Sequence, residues 1–103
     1  MAKFTHVAHI SQLPPDSKLL ITIKGESIAL FNVAGTIYAV EDVCTHDGGP
    51  LVEGDLDGYA IECPRHGARF DVRSGQALHM PAFEPIMTYT VKIEGEEILI
   101  APN

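Results

Sequence analysis

Residues 44–67 read CTHDGGPLVEGDLDGYAIECPRHG and contain both cysteines of the chain. The stretch opens with Cys44-Thr45-His46 and closes with Cys63-Pro64-Arg65-His66-Gly67, with sixteen residues between His46 and Cys63. Each cysteine is followed closely by a histidine, and each pair lies among turn formers: Asp47-Gly48-Gly49-Pro50 after the first, Gly67 after the second. Two soft thiolates and two imidazoles are thus offered from two loops. That donor set makes the stretch a metal site.

Around this stretch the composition narrows the setting. A chain of 103 residues with 46% hydrophobic content builds one modest core and is too small for two. The start, Met1-Ala2-Lys3-Phe4-Thr5-His6, has no apolar segment of the kind that heads an export signal, and no apolar run approaches a membrane span. A soluble cytoplasmic protein is expected. Two cysteines in C-x-H and C-x-x-H settings favour metal ligation in a reducing compartment over a disulfide framework. A net charge of -7 argues against nucleic acid, whose phosphates demand a basic face.

Before the metal stretch, strand-like segments are expected at 4–10, 19–24, 27–33 and 36–40. The turn region 11–17 is marked by Pro14-Pro15-Asp16, and short turns lie at Gly25-Glu26 and Ala34-Gly35. Leu19, Ile21 and Ile23 fall on one face of the second segment, and the three segments from 19 to 40 read as an antiparallel meander. From Val43 the chain becomes rich in Gly and Pro, and strand-like runs shrink to 59–62 and 70–72. Such loops let backbone approach a bound centre closely. After Pro85 alternation returns at 88–93 and 97–100, around a turn at Glu94-Gly95-Glu96. No stretch carries a helical period. The reading is an all-β single domain, 1–103: a β base from 1–42 and 84–103 carries a loop-rich metal-binding insert, 43–83.

Two centres suit two Cys and two His. A structural zinc would use the set tetrahedrally and make the protein a zinc-stabilised interaction module. Zinc sites of this composition, however, usually keep the cysteines together and the histidines together. Here each Cys is paired with a His, which suits a binuclear centre with thiolates on one iron and imidazoles on the other.

With its order and spacing, the pattern Cys44-Thr45-His46 … Cys63-Pro64-Arg65-His66-Gly67 resembles the C-x-H…C-x-x-H-G signature of the Rieske family. Gly49-Pro50-Leu51, Phe70-Asp71 and Ser74-Gly75 match as well, especially to the small ferredoxins that serve aromatic-ring dioxygenases. The resemblance implies an antiparallel β sandwich or barrel base and one [2Fe-2S] cluster per chain. Cys44 and Cys63 would hold the inner iron, and His46 and His66 the outer one, with the two imidazole edges facing a redox partner. Two neutral imidazoles in place of two thiolates bring the oxidised centre from about two negative charges to about zero, which eases reduction.

The related proteins of respiratory complexes carry a further Cys in each loop and two hydroxyl residues that donate to the cluster. Here the corresponding loop positions are not Cys, and Ala68 and Phe70 stand at the hydroxyl positions. A potential near the low end of the range, about -150 mV, is expected. Met80-Pro81-Ala82 resembles in position the proline loop that shields the cluster, and also reads as an ordinary turn. His79 reads as a surface side chain, and His6 and His9 as structural residues of the base. Arg65, Arg69 and Arg73 cluster at the second loop, while Asp42, Asp47, Glu53, Asp55 and Asp57 surround the first. This is either a bipolar docking rim or a set of charges that pair with one another.

The resemblance implies a one-electron carrier rather than an enzyme. It would take electrons from a reductase, of flavoprotein type, and deliver them to a terminal non-haem iron oxygenase, acting as a monomer. A second reading is the small Rieske subunit of an assimilatory nitrite reductase.

Overall fold

The computed structural model describes residues 3–43, 51–64, 67–79 and 84–102. The first half of the base is β1 (Thr5–His9) followed by a meander of β2 (Lys18–Ile23), β3 (Glu26–Val33) and β4 (Thr36–Glu41). The second half is a hairpin of β9 (Thr88–Glu94) and β10 (Glu97–Pro102). Between them lie β5 (Leu56–Asp57), β6 (Ala60–Glu62), β7 (Arg69–Asp71) and β8 (Ala77–His79). The base strands form one six-stranded antiparallel sheet in the order β1-β10-β9-β4-β3-β2, and the short strands a second sheet in the order β5-β6-β7-β8. The all-β antiparallel architecture expected from the sequence is the one observed. A single turn of 3-10 helix, Ile10–Gln12, follows β1 and begins one residue before the expected turn region.

Tight turns set the register of the meander. Lys24 and Gly25 between β2 and β3, and Ala34 and Gly35 between β3 and β4, all take positive φ. That backbone matches the twist of two-residue hairpins. Asn32, a buried polar residue, secures the second turn: its Oδ1 accepts from Gly35 N at 2.9 Å and its Nδ2 donates to Leu13 O at 2.8 Å. Its backbone bonds to Ser17 O and Asp16 N, so every polar group of the residue is paired.

β3 is buried on both faces, which explains its unbroken run Ile28-Ala29-Leu30-Phe31. Ile28 and Leu30 join Ala8, Leu13, Ala39, Ile98 and Ile100 in one apolar cluster inside the curled base. Ala29, Phe31 and Val33 point the other way, into a second cluster with Val40, Leu51, Ile61, Cys63, Ala68, Phe70, Val72 and Ile86. The small sheet therefore packs on the outer face of β3 and β4.

The insert leaves β4 and returns into β9, and these strands are neighbours in the sheet, with Ala39 opposite Tyr89 and Val40 opposite Thr88. Its two ends are fastened where they meet: Glu41 N donates to Met87 O, and Met87 N to Glu41 Oε1, both at 2.9 Å. Two glycines permit backbone contacts inside the insert that no other residue allows. A Cβ on Gly54 would lie 1.8 Å from Glu62 O, and one on Gly75 would lie 2.1 Å from Ile86 O. Among the described residues no helix is long and apolar enough to cross a membrane.

Candidate metal centre

The second ligand loop is the tip of the β6–β7 hairpin. Glu62 pairs with Arg69, and beyond that pair Cys63 N donates to Ala68 O at 2.6 Å while Gly67 N donates to Cys63 O at 3.1 Å. Gly67 closes the tip at φ 75°, a conformation that favours glycine. Strand alternation carries inward from the paired strands: Ile61, Cys63, Ala68 and Phe70 are buried, whereas Glu62 and Arg69 face outward. Cys63 is thereby only 1% exposed and belongs to the apolar cluster under the insert.

The first ligand loop springs from the end of β4. Cys44, His46 and His66 lie outside the described residues, as do Asp47, Arg65 and Met80-Pro81-Ala82. The stem of the first loop is described on both sides. Asp42 N donates to Ser27 O at 3.0 Å, which keeps the departing chain on β3. Across the loop, Asp42 Oδ1 accepts from Leu51 N at 2.8 Å and from Val52 N at 2.7 Å. Leu51 then enters the cluster that contains Cys63, Ala68 and Phe70, where full burial of such a side chain contributes about 2 kcal/mol. Both loop stems thus converge on one dry cluster.

Cys63 alone of the four expected ligands falls among the described residues, and among those residues no three His, Cys, Asp or Glu side chains come together. Its thiol is free of any disulfide. The surroundings fit an iron–sulfur centre: among the described residues a buried soft donor lies in an apolar cluster. Ala68 and Phe70, which flank it in the cluster, are fully buried and bring no hydroxyl toward it.

The charged residues around the insert pair locally. Arg69 Nε donates to Glu62 Oε1 at 3.0 Å and its Nη1 lies 3.6 Å from Asp57. Arg73 makes a two-pronged contact with Asp71, at 3.0 and 2.9 Å, and its guanidinium lies 4.0 Å from the centre of the Tyr59 ring. The hydrogen bond from Arg73 holds the Asp71 carboxyl below the usual aspartate value, against a smaller opposing effect of burial. For Arg69 and Arg73, mutual pairing is the reading that describes the molecule. Asp42, expected in an acidic rim, instead spends an oxygen on backbone amides. That role had a faint signal in sequence, since Asp is a short acceptor favoured at loop boundaries.

Histidines of the base serve structure, as expected. His6 Nε2 pairs with Glu97 across β1 and β10, and His9 Nδ1 bonds Ser11 at the start of the 3-10 turn. His79 ends β8, and its side chain lies outside what is described.

Fold and site together define an all-β domain in which a buried cysteine closes one of two loops rooted in the same apolar cluster. The family described as "Rieske [2Fe-2S] domain" matches residues 3–90. The ferredoxin component of the naphthalene 1,2-dioxygenase system of Pseudomonas aeruginosa is 41% identical over 98 residues, covering 95% of this chain and 94% of that protein. Among solved structures, the ferredoxin of carbazole 1,9a-dioxygenase from Nocardioides aromaticivorans IC177 superimposes with a TM-score of 0.92 at 32% identity, over 98% of this chain and 99% of that one. A chain in a complex of reduced oxygenase and oxidized ferredoxin of carbazole 1,9a-dioxygenase gives a TM-score of 0.90 at 33% identity, over 95% of this chain and 92% of that one. The chain belongs to the Rieske [2Fe-2S] domain family. Its cofactor is accordingly one Rieske-type [2Fe-2S] cluster, which replaces the zinc reading of the same donors.

Proposed function

We propose that Cys44, His46, Cys63 and His66 hold the cluster, with both cysteines on the inner iron and both histidines on the outer. Support comes from the burial of Cys63 and from the convergence of the two loop stems on its apolar cluster. In this reading 1–103 is one domain, a base of 1–42 and 84–103 bearing the insert 43–83. When bound, the cluster supplies reversible one-electron chemistry. The chain's own part is to hold four ligands rigidly and keep the sulfur side dry. It also presents the histidine side to a partner.

The protein is an electron carrier and not itself an oxygenase: it passes single electrons from a reductase to a terminal non-haem iron oxygenase in a dioxygenase system. The observation that carries this is the nearly end-to-end match, 95% of this chain against 94% of a dioxygenase ferredoxin component. We read the reductase as a flavoprotein, the carrier as a monomer and the compartment as the reducing cytoplasm. No nucleic acid or membrane is part of its function.

Electron paramagnetic resonance of the natively purified, chemically reduced protein tests the reading. A mixed-valence pair with a lower average g than an all-thiolate cluster is expected, and Cys63→Ser is expected to abolish it. A colourless sample containing zinc and no iron overturns the electron-carrier reading. Stoichiometric copurification of a large reductase subunit overturns the free carrier in favour of a permanent subunit.

A further inference from the structure

The carboxylate of Asp42 bridges the two ends of the first ligand loop. Residues 43–50 lie between its own position and the amides it binds, and one oxygen, Oδ1, receives both Leu51 N and Val52 N. The Asp42 contacts hold the returning end of that stretch, at 51 and 52, to its departing end. Leu51, whose backbone N is held by Asp42, belongs to the same apolar cluster as Cys63.

The departing side is anchored too, through Asp42 N to Ser27 O on β3. The returning side is tightened by Gly54 N donating to Leu51 O at 2.9 Å, and Gly54 O accepts from Lys18 Nζ of β2. One residue therefore connects three things: the base strand β3, the outgoing limb and the incoming limb. Glu26 and Glu41 line the same surface cleft as Asp42, so a second carboxylate charge there is no rarity; the distinctive feature is the doubly used acceptor.

We propose that Asp42 is a positioning residue for the cluster, tying together the two ends of the stretch that carries Cys44 and His46. This rests on the ligand assignment made above. The acceptor geometry, and not the negative charge, performs the task. Asn at this position keeps an oxygen at the same reach, whereas Glu keeps the charge but moves the oxygens outward by a methylene.

The test uses the full chain, purified with its cluster, as wild type, Asp42→Ala, Asp42→Asn, Asp42→Glu and Asn32→Ala. The last loosens the base at a site remote from the loop and controls for global stability. Release of iron to a chelator is followed at low temperature, with the resonance spectrum of the reduced protein recorded alongside. Asp42→Ala and Asp42→Glu are expected to release iron about tenfold faster or more and to broaden the spectrum, in line with outer-sphere partners of metal ligands. Asp42→Asn is expected to stay within about twofold of wild type, and Asn32→Ala to melt earlier with an unchanged spectrum. Should Asp42→Ala fail to fold, the contrast of Asn with Glu decides alone. Wild-type release from both Asp42→Ala and Asp42→Glu overturns the proposal, as does rescue by Glu and not by Asn. Equal acceleration by Asn32→Ala overturns it in favour of plain stability. A wild type without a cluster would overturn the ligand assignment instead.

Discussion

Three glycines that differ in one respect each allow the packing of the insert to be measured. Gly58 has φ 60° and open space where a Cβ would go, so Gly58→Ala suffers only the left-handed conformation, about 1 kcal/mol. Gly75 has φ 79° and, in addition, a Cβ position 2.1 Å from Ile86 O and 3.0 Å from the Thr88 methyl. Ordinary contact begins at 3.4 Å, so the two backbones must separate by more than an ångström. That movement breaks the 2.8 Å bond from Ile86 N to Gly75 O and lifts buried Ile86 from its cluster. Adding a lost hydrogen bond and local repacking to the conformational cost gives about 3–5 kcal/mol. A domain of this size is stable by about 5–15 kcal/mol. The Tm of Gly75→Ala is therefore expected to fall by about 15–30 °C, and that of Gly58→Ala by about 4–8 °C. Gly54→Ala separates the two causes: its φ is not positive, yet its Cβ would stand 1.8 Å from Glu62 O, and it should resemble Gly75→Ala. Thermal and urea unfolding followed by circular dichroism gives all three values. Equal losses for Gly58→Ala and Gly75→Ala would show that the close approach of the strands contributes nothing.

Ala34 holds φ 53° in an exposed turn before Gly35, so Ala34→Asn, which supplies the preferred Asn-Gly pair, should stabilise by about 1 kcal/mol and raise Tm by about 4–8 °C; an unchanged or lower Tm counts against the strain. Because Ala68 and Phe70 bring no hydroxyl to the centre, redox titration should give a potential near -150 mV, and Phe70→Tyr should raise it by about 40 mV, the equivalent of about 1 kcal/mol for one electron. A strongly positive wild-type potential would contradict both. The Asp71 carboxyl is lowered below 3.8 chiefly by the hydrogen bond from Arg73, so its stabilising effect is fully present above the unfolded aspartate value and is lost as pH falls through the lowered one. The Tm difference between wild type and Arg73→Ala should thus be constant near neutrality and shrink in acid; a difference that grows in acid reverses the assignment.

Much of this was legible because metal ligation and strand pairing both leave local marks. Cys63, followed by Pro, His and Gly, marked a tight turn, and Gly67 takes the positive φ such a turn calls for. The base strands showed themselves through alternation, as in Leu19, Ile21 and Ile23, which share the half-buried face of β2. β5 and β8 did not: two- and three-residue strands have no period, and their pairing is decided by the cluster beneath them. The burial of β3 on both faces was likewise hidden, since a continuous apolar run does not say that its two faces serve different clusters. Asp42 was read as one charge among many because its partners are backbone amides nine and ten residues away, which carry no letter in a sequence. Arg69 and Arg73 follow the pairing alternative, for their nearest carboxylates, Glu62 and Asp71, are close in sequence and sufficient to occupy them.

The division of β3 between two clusters has a consequence for how the protein can vary. Successive positions 28 to 31 alternate between the interior of the base and the floor under the metal loops. A change of volume at Phe31 is felt in the cluster that holds Cys63, and one at Leu30 is felt in the barrel interior, yet both travel through the same backbone. Drift in the scaffold and tuning of the redox site are therefore not independent. A lineage that reshapes one must adjust the other, and the four letters Ile-Ala-Leu-Phe are where that negotiation is written.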